Sequence, residues 1–258
     1  MRAEKLADVI EAVSPLELQE PWDNSGYQIK ISGNNITKVL VAMEITDKVI
    51  EEAEENCVEA IVTHHPLIFG TLKCIDDKDI TGNYIAELLK RRISVYSSHT
   101  PFDKCRGGNN DYLAGLLHLC DVKVMETDKS GFCREGFIDG QCSVREYIYQ
   151  ISDWMNIPVS QMSFTGDPDF PVNKVGLCSG AGSDFMDAAL EAGCDLFITG
   201  DVKYHGARHA DELGINVLDI GHFGSEKCFT ANMAHYLRKT TDLKVIESKV
   251  DLDPFRRI

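Results

Sequence analysis

The sequence predicts an α/β fold of two similar domains, each built on a mainly parallel sheet. Strand and helix signals alternate along almost the whole chain, which is the pattern of parallel strands joined by crossover helices. A strand–helix–strand segment recurs at a fixed offset of 136 residues. The composition is that of an ordinary globular chain: 258 residues, 43% hydrophobic and 26% charged, enough for one large or two small cores.

The elements follow in order. Met1–Val13 reads as an amphipathic helix, with Leu6, Val9, Ile10 and Val13 opposite Arg2, Glu4, Lys5, Asp8 and Glu11, and it ends at Ser14-Pro15. Pro21–Gly26 is a polar, turn-rich loop. Lys38–Met43 reads as a buried strand, Thr46–Asn56 as a helix and Ala60–Thr63 as a short strand. Asn83–Arg91 reads as a helix, Ile93–Ser97 as a strand and Asn110–Leu119 as a helix. Lys123–Gly131 is polar and patternless, so the boundary is placed there, with a first domain at 1–124 and a second at 125–258 whose C-terminal strand returns to the first. The second domain restarts with Arg134–Ile138 as a strand and Ser143–Met155 as a helix. Strands at Val159–Phe164 and Asn173–Cys178, a helix at Asp184–Ala192 and a strand at Asp195–Thr199 follow. A helix near Tyr204–Leu213, a strand at Asn216–Asp219, a helix at Ser225–Arg238 and a strand at Lys244–Ser248 complete it.

The repeat aligns Lys38-Val39-Leu40-Val41 with Lys174-Val175-Gly176-Leu177, and Ala60-Ile61-Val62-Thr63 with Leu196-Phe197-Ile198-Thr199. Further on, His99 and Asp103 resemble His222 and Glu226 after one inserted residue. Two readings stand: the shared look of any two β-α-β units, or two related halves that face each other around a site.

Charge and cysteine usage exclude several functions. With 26 Lys+Arg against 41 Asp+Glu the formal charge is −15, and no Lys/Arg run offsets it, so nucleic acid is a poor partner. The nine cysteines are scattered without a C-x-x-C pair, against both a disulfide framework and a zinc finger. The N-terminus lacks the apolar core and cleavage site of a signal peptide, and no apolar run approaches the roughly 18 residues of a membrane span. A cytoplasmic protein with free thiols and no membrane partner is expected.

Polar residues gather at predicted strand ends, where open parallel sheets bind ligands. His64-His65-Pro66 ends one strand and His99-Thr100-Pro101-Phe102-Asp103 a second. Thr199-Gly200-Asp201 ends a third and Asp219-Ile220-Gly221-His222 a fourth. Imidazole with carboxylate suits zinc, iron, manganese, nickel or cobalt. Adjacent His64 and His65 alternate in direction if extended, which fits two neighbouring metals better than one. Glu226 or Asp103 could bridge such a pair. His222 and Glu226 share a helix face if the following helix starts early. Weaker candidates have plainer readings. His205 and His209 are four apart but lack the protease Glu and suit a cleft wall or subunit contact, with His205 within reach of the site. Ser179–Ser183 and Gly107–Asn110 suit tight turns rather than phosphate cradles. His118 and His235 lie within predicted helices and suit surface or packing positions, and Cys105 has no evident base.

Five ordered motifs resemble the signatures of one family: Trp22-Asp23-Asn24-Ser25-Gly26, Thr63–Phe69, Ser98–Asp103, Ile198–His205 and Gly221–Glu226. The family is the Nif-three-like proteins, also called GTP cyclohydrolase 1 type 2 homologues, and the resemblance covers nearly the whole chain. It implies two similar α/β domains, a dinuclear metal centre in the cleft between them, and a ring-shaped homohexamer. Carried over by position, His65 and Asp103 would hold one metal, His64 and His222 the other, and Glu226 would bridge both. The chain has Glu44 where the family usually has Asp, and it lacks the inserted domain of longer members. Most members have no settled substrate.

The first functional expectation is a hydrolase with two divalent ions per subunit, acting on a small anionic molecule such as a phosphate ester or nucleotide. His99, which is not a family ligand, is the candidate for orienting a ligand or transferring a proton. The competing expectation is a non-enzymatic, metal-binding regulatory oligomer. Coordination positions left open would favour the enzyme, and saturation by protein ligands the structural role.

Overall fold

The computed structural model describes Met1–Arg256. The chain divides into one unit of Met1–Gly108 with Phe229–Leu252 and a second of Asn109–Cys228, joined by residues from Asp253.

The first unit opens with α1 (Ala3–Glu11), whose Leu6 and Ile10 are buried. A 3-10 turn at Leu16–Leu18 follows, then β1 (Gly26–Ile29), β2 (Lys38–Ala42), α2 (Asp47–Glu55) and β3 (Ala60–Thr63). After these come α3 (Ile80–Arg91), β4 (Ser94–Ser97) and α4 (Thr100–Lys104). Thr46 and Asp79 cap α2 and α3, accepting from the amides of Val49 and Gly82. The five-stranded sheet runs β1-β4-β3-β2, with β11 (Lys244–Glu247) beyond β2. β2, β3, β4 and β11 are parallel, and β1 lies antiparallel on β4. β3 and β4 are buried at every residue, as parallel strands covered on both faces must be. Val49, Ile50 and Ala53 of α2 and Ile85 and Leu88 of α3 pack with Leu40, Ile61 and Val95 of the strands.

The second unit contains α5 (Asn109–Leu116), β5 (Cys120–Val124), β6 (Arg134–Ser143), α6 (Val144–Met155), β7 (Ser163–Thr165) and β8 (Pro171–Leu177). It continues with α7 (Met186–Glu191), β9 (Leu196–Thr199), α8 (Tyr204–Leu213), β10 (Asn216–Asp219) and α9 (His222–Glu226). α10 (Cys228–Thr240) leads back into the first unit. A reciprocal cap starts α6, with Ser143 Oγ accepting from the Glu146 amide while the Glu146 carboxylate accepts from the Ser143 amide. The six-stranded sheet has the order β5-β6-β8-β9-β10-β7. It is parallel through β8-β9-β10 and antiparallel at both flanks.

Three expectations change. The boundary falls after Gly108 rather than near 124, because β5 pairs with β6 and Leu113, Ala114 and Leu117 of the α5 region lie in the second unit's core. β5 is exposed at every residue, so it has no apolar alternation to read. The strand expected at Val159–Phe164 is a 3-10 turn at Val159–Gln161 followed by the three residues of β7.

The repeat extends to individual hydrogen bonds. The amides of Thr37 and Lys38 donate to Glu59 Oε2 at 3.0 and 2.8 Å, and those of Asn173 and Lys174 to Asp195 Oδ2 at 2.9 and 2.7 Å. Lys38 Nζ donates to the Asn56 carbonyl and Lys174 Nζ to that of Ala192. Each pair is related by the 136-residue offset. After the helix both copies use a left-handed residue, Cys57 at φ 52° and Gly193 at φ 73°. β2-α2-β3 and β8-α7-β9 therefore hold corresponding places, with Thr63 and Thr199 equivalent.

Candidate functional site

Register brings the first set of side chains together. Thr63 pairs with Ser97 across the parallel strands β3 and β4, so the residues following both strands emerge side by side. The amides of His64 and His65 both donate to the Met43 carbonyl, at 3.0 and 2.9 Å, which turns the chain sharply off β3. His64, His65 and His99 then offer one ring nitrogen each within 4.8 Å of one another. The His64 and His65 rings lie 5.1 Å apart, and the His99 ring stands edge-on to both.

Tautomers follow from partners. Nδ1 of the buried His64 lies 3.1 Å from the Ser98 carbonyl, which only accepts, so Nδ1 carries a proton and, in the neutral ring, Nε2 carries the lone pair. Nε2 faces Asp103 Oδ1 at 3.6 Å. That is too long for a hydrogen bond and close to the roughly 3.4 Å between two ligands bound to one tetrahedral ion at about 2.0–2.1 Å. Two electron-pair donors turned toward one another in a buried place suit a cation. His65 Nδ1 lies 3.4 Å from Glu44 Oε2, so this ring also faces a carboxylate.

Asp23 anchors His99. Its buried carboxylate accepts from His99 Nδ1 at 2.8 Å, from the Thr100 hydroxyl and amide, from the Ser25 hydroxyl and from the Asn24 amide. Burial alone would raise its pKa, but the hydrogen bonds from His99 and Thr100 outweigh it and hold the carboxyl well below the usual range. With Nδ1–H committed to Asp23, the His99 ring presents Nε2 as an acceptor.

The second unit makes its own group. Asp219 and Thr199 are paired across β9 and β10, so Asp201 and His222 also leave neighbouring strand ends. Asp219 holds both loops, accepting from the amides of Val202 at 2.8 Å and Gly221 at 2.7 Å. α9 begins at His222, earlier than expected, which places Glu226 one turn on along the same face. His222 Nδ1 lies 2.8 Å from Asp201 Oδ2 and its Nε2 2.9 Å from Glu226 Oε2. The bond to Glu226 outweighs burial and, with Asp201, pushes the His222 pKa up to about 9. An imidazole between two carboxylates holds a positive charge there, as a proton or as a metal ion on Nε2.

Gly180 sits against this group at φ +68°, where a Cβ would overlap Glu226 Oε1. Gly180→Ala is expected to destabilise the protein by about 1–3 kcal/mol and to weaken its capacity to take up metal, because the clash falls on the carboxylate itself. Thermal melting with elemental analysis checks this; wild-type metal content would show that Glu226 yields freely.

Other candidates resolve as structural parts. The amides of Ser179, Gly180 and Gly182 are taken by Asn110 Oδ1, Ser225 Oγ and Thr199 Oγ1, which makes this turn a brace rather than an anion cradle. His205 is exposed, and His209 pairs with Asp187 at 3.2 Å on the surface. His118 follows α5 with φ 55° and packs at a tilt against Trp154, and His235 is exposed on α10. The Cys105 thiol is buried and donates to the Phe102 carbonyl. All nine cysteines are free thiols, and no helix among the described residues is long and apolar enough to cross a membrane. The roles of Asp23 and Asp201 in holding His99 and His222 escape spacing arguments, since partners 76 and 21 residues apart meet only through strand order.

Two related α/β units, each with imidazole and carboxylate donors gathered at parallel strand ends, define a class of protein with metal-binding potential. The chain belongs to the Duf34/NIF3 (NGG1p interacting factor 3) family, whose description matches residues 1–254. It is 34% identical over 264 residues to a Clostridium perfringens protein called GTP cyclohydrolase 1 type 2 homolog, covering 100% of both chains. It is 30% identical over 246 residues to a Helicobacter pylori protein called GTP cyclohydrolase 1 type 2, covering 95% of each. The crystal structure of Staphylococcus aureus hypothetical protein SA1388 shares the fold at a TM-score of 0.92 and 24% identity, covering 100% of this chain and 99% of that one.

Proposed function

We propose that the protein is a dinuclear-metal-dependent hydrolase of a small anionic substrate, in the class of phosphate esters and nucleotides. His64 and Asp103 hold one divalent ion, His65 and His222 the other, and Glu226 serves both; the spacing of His64 and Asp103 favours exchanging the partners that the family resemblance implies. The observation that carries this reading is the buried His64 Nε2–Asp103 Oδ1 pair at ligand-to-ligand distance beside two further histidines. Bound ions of the zinc, iron, manganese, nickel or cobalt type would supply an activated water and polarise the bond under attack. The chain's own contribution is orientation. Ser98 fixes the His64 tautomer, Asp201 turns His222, and Asp23 holds His99 with Nε2 free to take a proton from water or return it to a leaving group. The assembly is proposed to be a homohexamer, as the family resemblance implies.

Elemental analysis of purified protein, followed by a screen of phosphoesters and nucleotides including GTP, with and without chelator, tests the reading. About two metal ions per subunit and chelator-sensitive turnover are expected. Full metal content with no turnover would favour the regulatory oligomer, and sedimentation reads the assembly in the same samples. In the same screen His99→Gln is expected to lower kcat about 10²–10⁴-fold while metal content stays at the wild-type value. Loss of metal in that variant would make His99 a ligand instead.

A further inference from the structure

Two large aromatic rings stand in solvent beside the histidine cluster of the first unit. Trp22 is 56% exposed and Phe69 63% exposed, and their centroids lie 6.2 Å apart at an interplanar angle of 51°. The Trp22 ring also stands edge-on to His99 at 5.8 Å, so the pair begins where the candidate metal-binding histidines end.

The corner is held rather than loose. Asn24 Nδ2 donates to the Ile68 carbonyl at 2.7 Å, and the Ile68 amide donates to Gln28 Oε1 at 3.0 Å. Gln28 Nε2 closes the circuit on the Asn24 carbonyl at 2.6 Å. The loops carrying Trp22 and Phe69 are thus tied together two residues from one ring and one residue from the other. Leaving two such rings in water forgoes their burial, and fixing them there lowers the ordering cost of whatever covers them.

We infer that Trp22 and Phe69 form the specificity corner for a substrate carrying a flat aromatic or heteroaromatic ring next to its phosphate. A ring laid on the indole meets the phenyl face at an inclination, gaining stacked and edge contacts at once. Its phosphate then points past Trp22 to His99, His64 and His65. The identity of this occupant rests on the hydrolase reading above; the corner's preference for flat rings does not.

The test uses the full-length chain carrying Trp154→Phe, which leaves Trp22 as its single tryptophan. Phenyl phosphate and adenosine monophosphate are titrated against ribose 5-phosphate, with Trp22 emission and calorimetry as readouts. Ring-bearing phosphates are expected to quench Trp22 and to bind at least tenfold more tightly than ribose 5-phosphate. Phe69→Ala should lose roughly tenfold for the ring-bearing ligands alone, and Phe69→Tyr should keep the preference. Equal affinity for all three phosphates, no binding of any, or a Phe69→Ala loss shared by ribose 5-phosphate overturns the inference. So does a change in sedimentation for Phe69→Ala, which would make the pair a contact between copies of the chain. Metal-dependent turnover without ring preference retires the corner and leaves the hydrolase. Ring preference without turnover retires the hydrolase and leaves the corner.

Discussion

Glu226→Gln is expected to abolish the binding of both metal ions of the proposed centre while leaving the protein folded. The carboxylate is 3% exposed and lies 2.9 Å from His222 Nε2, so it is already aimed at the atom an ion would share. In the proposed centre its charge offsets repulsion between two divalent ions. At the roughly 3.5–4 Å spacing of two-metal sites that repulsion is on the order of 15–20 kcal/mol, even at an effective dielectric of about 20. Glutamine preserves shape and one acceptor oxygen but removes the anion, so affinity should fall by at least about 100-fold at both positions. Asp103→Asn should mainly empty the position shared with His64, and His222→Ala the one shared with His65. Metal per subunit, measured beside circular dichroism for the three variants, decides the matter. Equal loss of one ion in all three would indicate a mononuclear site, and full content in Glu226→Gln would end its shared role.

Much of this architecture is legible in the sequence because parallel strands buried on both faces leave continuous apolar runs. Ala60–Thr63 and Leu196–Thr199 are recognisable for that reason, and the equivalence of Thr63 with Thr199 follows from the same runs. The edges are not legible. β5 is exposed throughout, β7 is three residues long and β1 lies antiparallel on β4 without a distinctive apolar pattern, so tertiary pairing rather than local pattern defines them. The histidines and carboxylates of the site stand out as residue types at strand ends. What holds them does not, because an aspartate in a turn looks the same whether it caps a loop or orients an imidazole. Arg134 makes the same point from the core. It is almost fully buried, paired with Asp111 and donating to the carbonyls of Gly131, Phe132 and Cys133, and nothing in a lone arginine at the start of a strand announces that network.

Asp23→Asn is expected to damage stability and chemistry together. The carboxylate accepts five hydrogen bonds, and an asparagine keeps one acceptor oxygen while turning an NH2 toward groups that themselves donate. Donors are then left unsatisfied near a buried position, a loss of about 2–4 kcal/mol. His99 is released from its Nδ1–H tautomer, and turnover in the proposed reaction should fall about 10²–10⁴-fold, the range seen when a carboxylate that fixes a catalytic imidazole is neutralised. The pH dependence carries the sign. The folded Asp23 carboxyl is held below its ordinary value, whereas the unfolded one titrates near 3.9, so between those values the unfolded chain binds more protons. Its stabilising contribution is therefore complete above the unfolded value and disappears as pH falls toward the folded one. Urea unfolding at about pH 7 and about pH 3 should show the wild type losing its advantage over Asp23→Asn as acid is added. A gap that stays constant between the two conditions would mean that the network depends on the shape of Asp23 rather than on its charge.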